Sequence, residues 1–215
     1  MSTPSEDPVA RLPAGAEALL CAWVAGLVAT PGMTAIADVD EAWRRHTLEA
    51  LAVAELLDSA PEGPIVDVGS GGGSVGIPVA AALPGREVVL VEAERRKCAF
   101  LETWAGEGPG RLPNLRVVWA RVEEQGADWA AAAVAKALAP PPVAAEWVLP
   151  LVAPGGLAVL FLGESADVAA VARVAEKLAA VPVAGPPGLA VLRKLGPTPE
   201  GFPRRVGVAR KRPLA

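Results

Sequence analysis

Short apolar runs alternate along the chain with stretches in which apolar residues recur every three or four positions. The runs at 64–68 (PIVDV), 87–92 (EVVLVE), 115–119 (LRVVW) and 157–162 (LAVLFL) are rich in Val, Leu and Ile and predict buried strands. The patterns at 75–83, 94–105, 140–152 and 166–180 predict helices between them. Strands alternating with helices give a parallel sheet covered on both faces, a doubly wound α/β fold. Upstream, 14–28 and 39–57 read as helices, the second with Asp40 as its cap, so residues 1–60 form a helical segment packed on a core that occupies 61–215. Two later runs, 189–194 (LAVLRK) and 205–209 (RVGVA), predict an antiparallel hairpin at the sheet edge. The stretch 127–139 (ADWAAAAVAKALA) is ambiguous: its alanines favour helix, whereas the topology asks for a strand near 131–136.

Composition narrows the class. A chain of 215 residues, 52% hydrophobic and 20% charged, buries one substantial core. The opening MSTPSEDPVARLP lacks the pattern of a signal peptide, and no uncharged apolar run reaches the roughly 20 residues of a membrane span, which points to the cytoplasm and away from a membrane. Cys21 and Cys98 are distant and have no C-x-x-C partner, so both read as buried thiols, with neither disulfide nor metal implied. Charge is uneven. From Arg193 to Ala215 seven basic residues face one acid, giving +6; with the whole chain at −4, the remainder carries −10. A basic end on an acidic body suits a localised polyanion contact, such as RNA phosphates, or else a solvated tail. Arg204, Arg205 and Arg210 are its candidate RNA contacts, and Arg44, Arg45 and His46 on the second helix are a further set.

The stretch DVGSGGGSVGIPVA, from Asp67, carries the most specific chemistry. Glycines between a strand and a helix let the backbone approach a ligand closely. Gly71, Gly73 and Gly76 match G-x-G-x-x-G, a dinucleotide pattern, but acid-x-Gly-x-Gly-x-Gly over Asp67, Gly69, Gly71 and Gly73 describes the loop more tightly. An acid at the strand end suits a cationic ligand such as S-adenosyl-L-methionine better than a pyrophosphate. Glu92, closing the next strand, has the acceptor pair that ribose hydroxyls need, which serves either cofactor. A dinucleotide and a purely structural glycine loop stay open as alternatives.

The ordered set DVGSGGGSVGIPVA, MTAI (33–36), RRHTLEALAV (44–53), RVEE (121–124) and GFPRRVGVARKRPL (201–214) resembles the bacterial small-subunit rRNA methyltransferase G family, RsmG or glucose-inhibited division protein B, over nearly the whole chain. The resemblance implies a Rossmann-like class I methyltransferase that uses S-adenosyl-L-methionine to methylate N7 of a guanine in 16S rRNA, on the naked RNA or the small ribosomal subunit, as a monomer. It places cofactor contacts at Gly69, at Ser74, at the Val122–Glu123 pair and at Lys136.

The chain departs from the family pattern at several positions. Gly32-Met33-Thr34 stands where the family has Asn-Leu-Thr, Lys136 where it has arginine, and Leu162-Gly163 where it has Lys-Gly; Glu49 and Ala50 replace Asp and Ser. These changes also fit a retargeted or catalytically weak paralogue that binds S-adenosylmethionine and serves in RNA binding or assembly. Guanine N7 already presents an unprotonated lone pair, so methyl transfer needs positioning and not a general base. No catalytic acid or base is therefore assigned, His46 included.

Overall fold

The computed structural model describes residues 7–215; the part of the leader and helical-segment readings that falls on residues 1–6 lies outside the described residues. In chain order the regular elements are α1 (Ala16–Ala29), α2 (Val39–Ala42), a π-helical turn (Trp43–Leu48), α3 (Glu49–Asp58), β1 (Ile65–Val68), α4 (Gly76–Ala82), β2 (Val88–Glu92), α5 (Arg95–Glu102), β3 (Leu115–Trp119), β4 (Ala130–Ala135), α6 (Pro141–Val148), β5 (Val152–Phe161), α7 (Val168–Lys177), β6 (Ala180–Val183), β7 (Leu189–Lys194) and α8 (Val208–Lys211). One sheet takes all seven strands in the order β3-β2-β1-β4-β5-β7-β6. Strands β1 to β5 run parallel, and β7 is antiparallel to both its neighbours. The order reverses between β1 and β4, the switch point at which doubly wound sheets open a crevice.

Both faces of the sheet are covered, which explains why β1, β2 and β4 are buried at every residue and read as continuous apolar runs. On one face, Leu20, Trp23 and Leu27 of α1 and Leu57 of α3 pack with Ile77, Leu90 and Val134. On the other, Ala145 and Val148 of α6 and Val171 and Val174 of α7 pack with Val66, Val89 and Leu160. The ambiguous alanine run is a strand. Flanked by β1 and β5 and buried throughout, it gains two ladders of hydrogen bonds, which override the helix propensity of alanine.

Three expectations are corrected. Residues 205–209 form no strand; β7 pairs instead with β6, a four-residue strand of which only the first residue falls within the predicted helix 166–180. The chain beyond β7 turns away because Thr198 is held by Asp128, and it then runs beside α6 into α8. Cys98 is buried, but Cys21 falls on the outward side of α1 and is exposed. The strand predicted at 157–162 begins earlier, at Val152.

At the end of the sheet where β4 begins, Lys194 is wholly buried. Its ammonium donates to the Leu149 carbonyl at 2.9 Å and the Thr198 hydroxyl at 2.7 Å, and lies 3.3 Å from Asp128 Oδ1. Burial pulls the Lys194 pKa below its ordinary value, with Asp128 opposing. Burial works against the Asp128 carboxylate, but the N–H and hydroxyl of Thr198 together with the Lys194 ammonium hold that carboxyl below the usual range. Removing one partner of a buried ion pair leaves the other uncompensated. Asp128→Ala is therefore expected to destabilise the fold by about 3–5 kcal/mol. Asp128→Asn, which keeps hydrogen-bond acceptors and tolerates the positive φ of this position, should cost less; denaturant midpoints measure both.

Candidate functional site

The loop after β1 lies at the switch point. Gly69, Gly71 and Gly73 all take positive φ, of 67°, 59° and 89°, so the chain needs residues without a Cβ to make this turn. The loop is attached from three sides. The N–H of Gly71 donates to Glu92 Oε2 at 2.9 Å, the indole N–H of Trp23 donates to the Gly72 carbonyl at 3.0 Å, and the N–H of Gly76 donates to Asp67 Oδ2 at 2.8 Å. The other oxygen of Glu92 accepts the N–H of Glu94 at 2.7 Å. A carboxylate offers about four lone pairs, so Glu92 keeps acceptor capacity.

A cleft of about 880 Å³ opens above this loop. Of the nine positions expected to contact a cofactor, Gly69, Gly71, Ser74, Glu92, Val122, Glu123 and Lys136 line it. Gly73 does not: a Cβ there would come within 2.5 Å of Ile77 and 3.0 Å of Leu101, so its role is close packing beneath the loop. Asp67 does not either. It is buried under the loop with the start of α4 on its carboxylate, where it cannot meet a ligand's cation. Burial pushes its pKa up to about 7, against the Gly76 N–H and with help from Glu92. The wall residues that the pattern of the sequence did not single out include Thr34 and Trp147. Trp147 looks like helix core in sequence, and it is buried, but one edge of it forms cleft wall.

The candidate RNA contacts divide. Arg44 and Arg45 are exposed on the π-helical turn, paired with Glu41 at 2.8 Å and with Glu49 at 3.2 Å. His46 turns inward and lines the cleft, its Nε2 2.9 Å from the Thr34 hydroxyl; burial and then Lys136 hold its pKa below the ordinary value. Arg204 is half-buried and engaged: its guanidinium forks onto the buried Glu146 at 2.5 and 2.6 Å. Arg205 and Arg210 are exposed, and Arg210 also borders the cleft with its guanidinium 5.2 Å from the Trp147 ring. Glu123 joins this segment to the cleft, accepting the N–H of Gly207 at 3.0 Å.

Lys136 stands between two cavities. Its ammonium pairs with Glu49 Oε2 at 2.8 Å, donates to the Arg45 carbonyl and lies 5.1 Å from the centre of the Phe161 ring. On its far side a second cavity of about 570 Å³ opens over the ends of β4 and β5.

Comparison with known proteins gives concordant matches. The family model described as rRNA small subunit methyltransferase G matches residues 20–181. The ribosomal RNA small subunit methyltransferase G of Synechococcus elongatus is 34% identical over 203 residues, covering 85% of this chain and 82% of that protein. The protein of the same name from Rubrobacter xylanophilus is 38% identical over 195 residues, covering 77% and 74%. Among solved structures, the magnesium protoporphyrin IX methyltransferase of Synechocystis PCC 6803 with bound SAM superposes with a TM-score of 0.59 over 90% of this chain and all of that one, at 14% identity. A SAM-dependent O-methyltransferase from Thermotoga maritima gives 0.53 over 71% and 66%, at 15% identity. At such identities the structural matches establish the fold, a Rossmann-like class I methyltransferase fold.

Asp67 generates a pH signature. Its folded pKa of about 7 lies above the ordinary 3.8, so the stability it contributes when protonated is complete below 3.8 and is lost as pH rises through about 7. Asp67→Asn is neutral throughout. In melts from acid to neutral pH, the wild-type melting temperature should fall relative to that of Asp67→Asn across this window; parallel curves would show that the carboxyl does not titrate there.

Proposed function

The chain belongs to the rRNA small subunit methyltransferase G family, and from that premise we propose that it transfers a methyl group from S-adenosyl-L-methionine to N7 of a guanine in small-subunit rRNA. The observation that carries this reading is the pairing of the open glycine loop with Glu92, whose carboxylate borders the cleft with acceptor capacity left for two ribose hydroxyls. A dinucleotide fits less well. Its pyrophosphate would sit on the N-terminus of the helix after the loop, where the Gly76 N–H is already taken by Asp67.

The residues present suit the cofactor. Gly69, Gly71, Ser74, Glu92, Val122, Glu123 and Lys136 would hold it. When bound, it supplies a sulfonium methyl whose C–S bond breaks as the N7 lone pair forms the new C–N bond, with no proton moved. The protein's part is alignment and exclusion of water, worth up to about 7–11 kcal/mol in effective molarity. His46, kept from protonation by its burial, has no proton to take in such a step.

The departures from the family pattern fit an active enzyme. Gly32 takes φ of 77°, a conformation that asparagine tolerates better than most residues, so Gly and Asn serve the same turn. Glu49 keeps the carboxylate of the Asp it replaces, and Lys136 keeps the cation. Leu162 lines only the second cavity, away from the cofactor cleft. We read residues 7–60 as a helical segment packed on the core of residues 61–215, since Trp23 of α1 is bonded to the glycine loop itself. No helix among the described residues is long and apolar enough to cross a membrane, and the protein acts, in this reading, as a cytoplasmic monomer with RNA as its partner.

Two measurements test the reading. Calorimetric titration should give binding of S-adenosylmethionine tighter than that of NAD, and Glu92→Ala should weaken it by about 1–3 kcal/mol through loss of charged hydrogen bonds. Small-subunit RNA from cells lacking the modification should accept labelled methyl, recovered as 7-methylguanine; label absent from that base would sink the assignment. For RNA contact, Arg205, Lys211 and Arg212 are exposed and Arg204 is not free. Changing those three exposed residues to glutamine should flatten the slope of log affinity against log salt by about 2–3 units and leave cofactor affinity intact.

A further inference from the structure

The second cavity, of about 570 Å³, adjoins the cleft. Lys136 and Ala137 line both spaces, so a group held in the second abuts the first. Its polar and aromatic groups are few and specific. Phe161, at the end of β5, contributes a ring, with the Lys136 ammonium 5.1 Å from its centre. Glu49, from α3, contributes a carboxylate with Oε1 3.2 Å from Arg45 and Oε2 2.8 Å from Lys136. Leu162 and the Pro186-Pro187-Gly188 turn supply apolar wall.

We propose that this cavity receives an unpaired guanine turned out of the RNA, stacked against Phe161 and read through its Watson–Crick edge by Glu49. The proposal rests on the methyltransferase reading above and adds the residues that select the base. Enzymes that modify a base in RNA or DNA take it out of the stack and read it by stacking and by hydrogen bonds to that edge. Guanine is the RNA base that presents two adjacent donors there, N1–H and the N2 amino group. The two oxygens of a carboxylate match them, and each oxygen of Glu49 has capacity beyond its one cationic partner. Adenine turns the lone pair of N1 toward the same carboxylate and is repelled. O6 lies beside N1, where the cations Arg45 and Lys136 suit it. N7 lies on the Hoogsteen edge, beyond O6, so a guanine held by Glu49 through N1–H and the N2 amino group keeps the atom to be methylated free of the reader. Neighbouring charge fits the product as well, because methylation at N7 leaves the ring cationic beside a carboxylate.

The test uses labelled single-stranded RNA nonamers of uridine with one central guanosine, inosine or adenosine, bound to the full chain with S-adenosylhomocysteine present and followed by fluorescence anisotropy. Inosine keeps N1–H and loses the N2 amino group. The wild type should bind the guanosine RNA about tenfold more tightly than the adenosine RNA, with inosine between them. Glu49→Gln should erase most of that preference, and Phe161→Ala should weaken binding of the guanosine RNA about tenfold. Cooperative thermal melts close to that of the wild type in both variants show that they fold. Equal binding of the three RNAs by the wild type, or no binding of any, overturns the proposal without reference to a variant; so does a guanine preference that survives Glu49→Gln. A guanine preference that depends on Glu49, together with no methyl transfer to small-subunit RNA, would instead overturn the catalytic reading and leave the base pocket standing.

Discussion

A carboxylate buried beneath a glycine loop fixes the geometry of everything above it. Asp67 accepts the N–H of Gly76, so the last residues of β1 and the first of α4 are tied at one point. The approach is so close that a Cβ at position 76 would lie 3.0 Å from Asp67 Oδ2 and 2.0 Å from Leu90. Glycine is required there by contact. With both ends of the loop so fixed, Glu92 and Trp23 need one bond each to set its remaining course. The sheet and the N-terminal helices meet at this loop, and the cleft is the space left above it.

The basic residues show how one charge type serves two purposes. Lys194 is buried and Arg204 half-buried, each against an acid, Asp128 and Glu146 respectively. Arg205, Lys211 and Arg212 face solvent. The two groups are bound into one framework, because Arg204 also donates to the Arg212 carbonyl at 2.8 Å and Glu123 holds Gly207. The exposed charges therefore project from a segment of fixed course beside the cleft.

Much of this was legible in the sequence for physical reasons, and what was not had reasons too. Strands buried on both faces announce themselves as unbroken apolar runs, so β1 and β2 stood where the runs did, and the edge strand β3 was legible from its Val and Leu although only Leu115 in it is fully buried. Strand β4 did not announce itself, because alanine favours a helix until two neighbouring strands are present to pair with it. Strand β6 spans four residues and contains Pro182, which an edge strand tolerates and a pattern search reads as a break. The acid-and-glycine pattern marked the loop that lines the cleft, yet no pattern tells an acid that borders a cleft from one that caps a backbone N–H; Glu92 does the first and Asp67 the second. Arg204 and Arg205 are likewise identical as letters and differ only by Glu146, 58 positions earlier. The second cavity had no contiguous signature, since it joins α3, β4, β5 and the approach to β7, four segments distant in sequence, although Glu49, Lys136 and Leu162, which line it, stood out singly as departures from the family pattern.

The position of β7 between β5 and β6 also governs when the protein can become whole. Strand β6 pairs with β7 alone among the strands, and β5 pairs on that side with β7 alone. During synthesis both edges wait for residues 189–194 to emerge, although all five parallel strands have already been made. Until those residues are available the nascent chain carries an open β5 edge, the kind of surface that invites pairing with another chain. A message truncated shortly before that point would yield every parallel strand and the entire glycine loop, but with a sticky side where the last strand should lie.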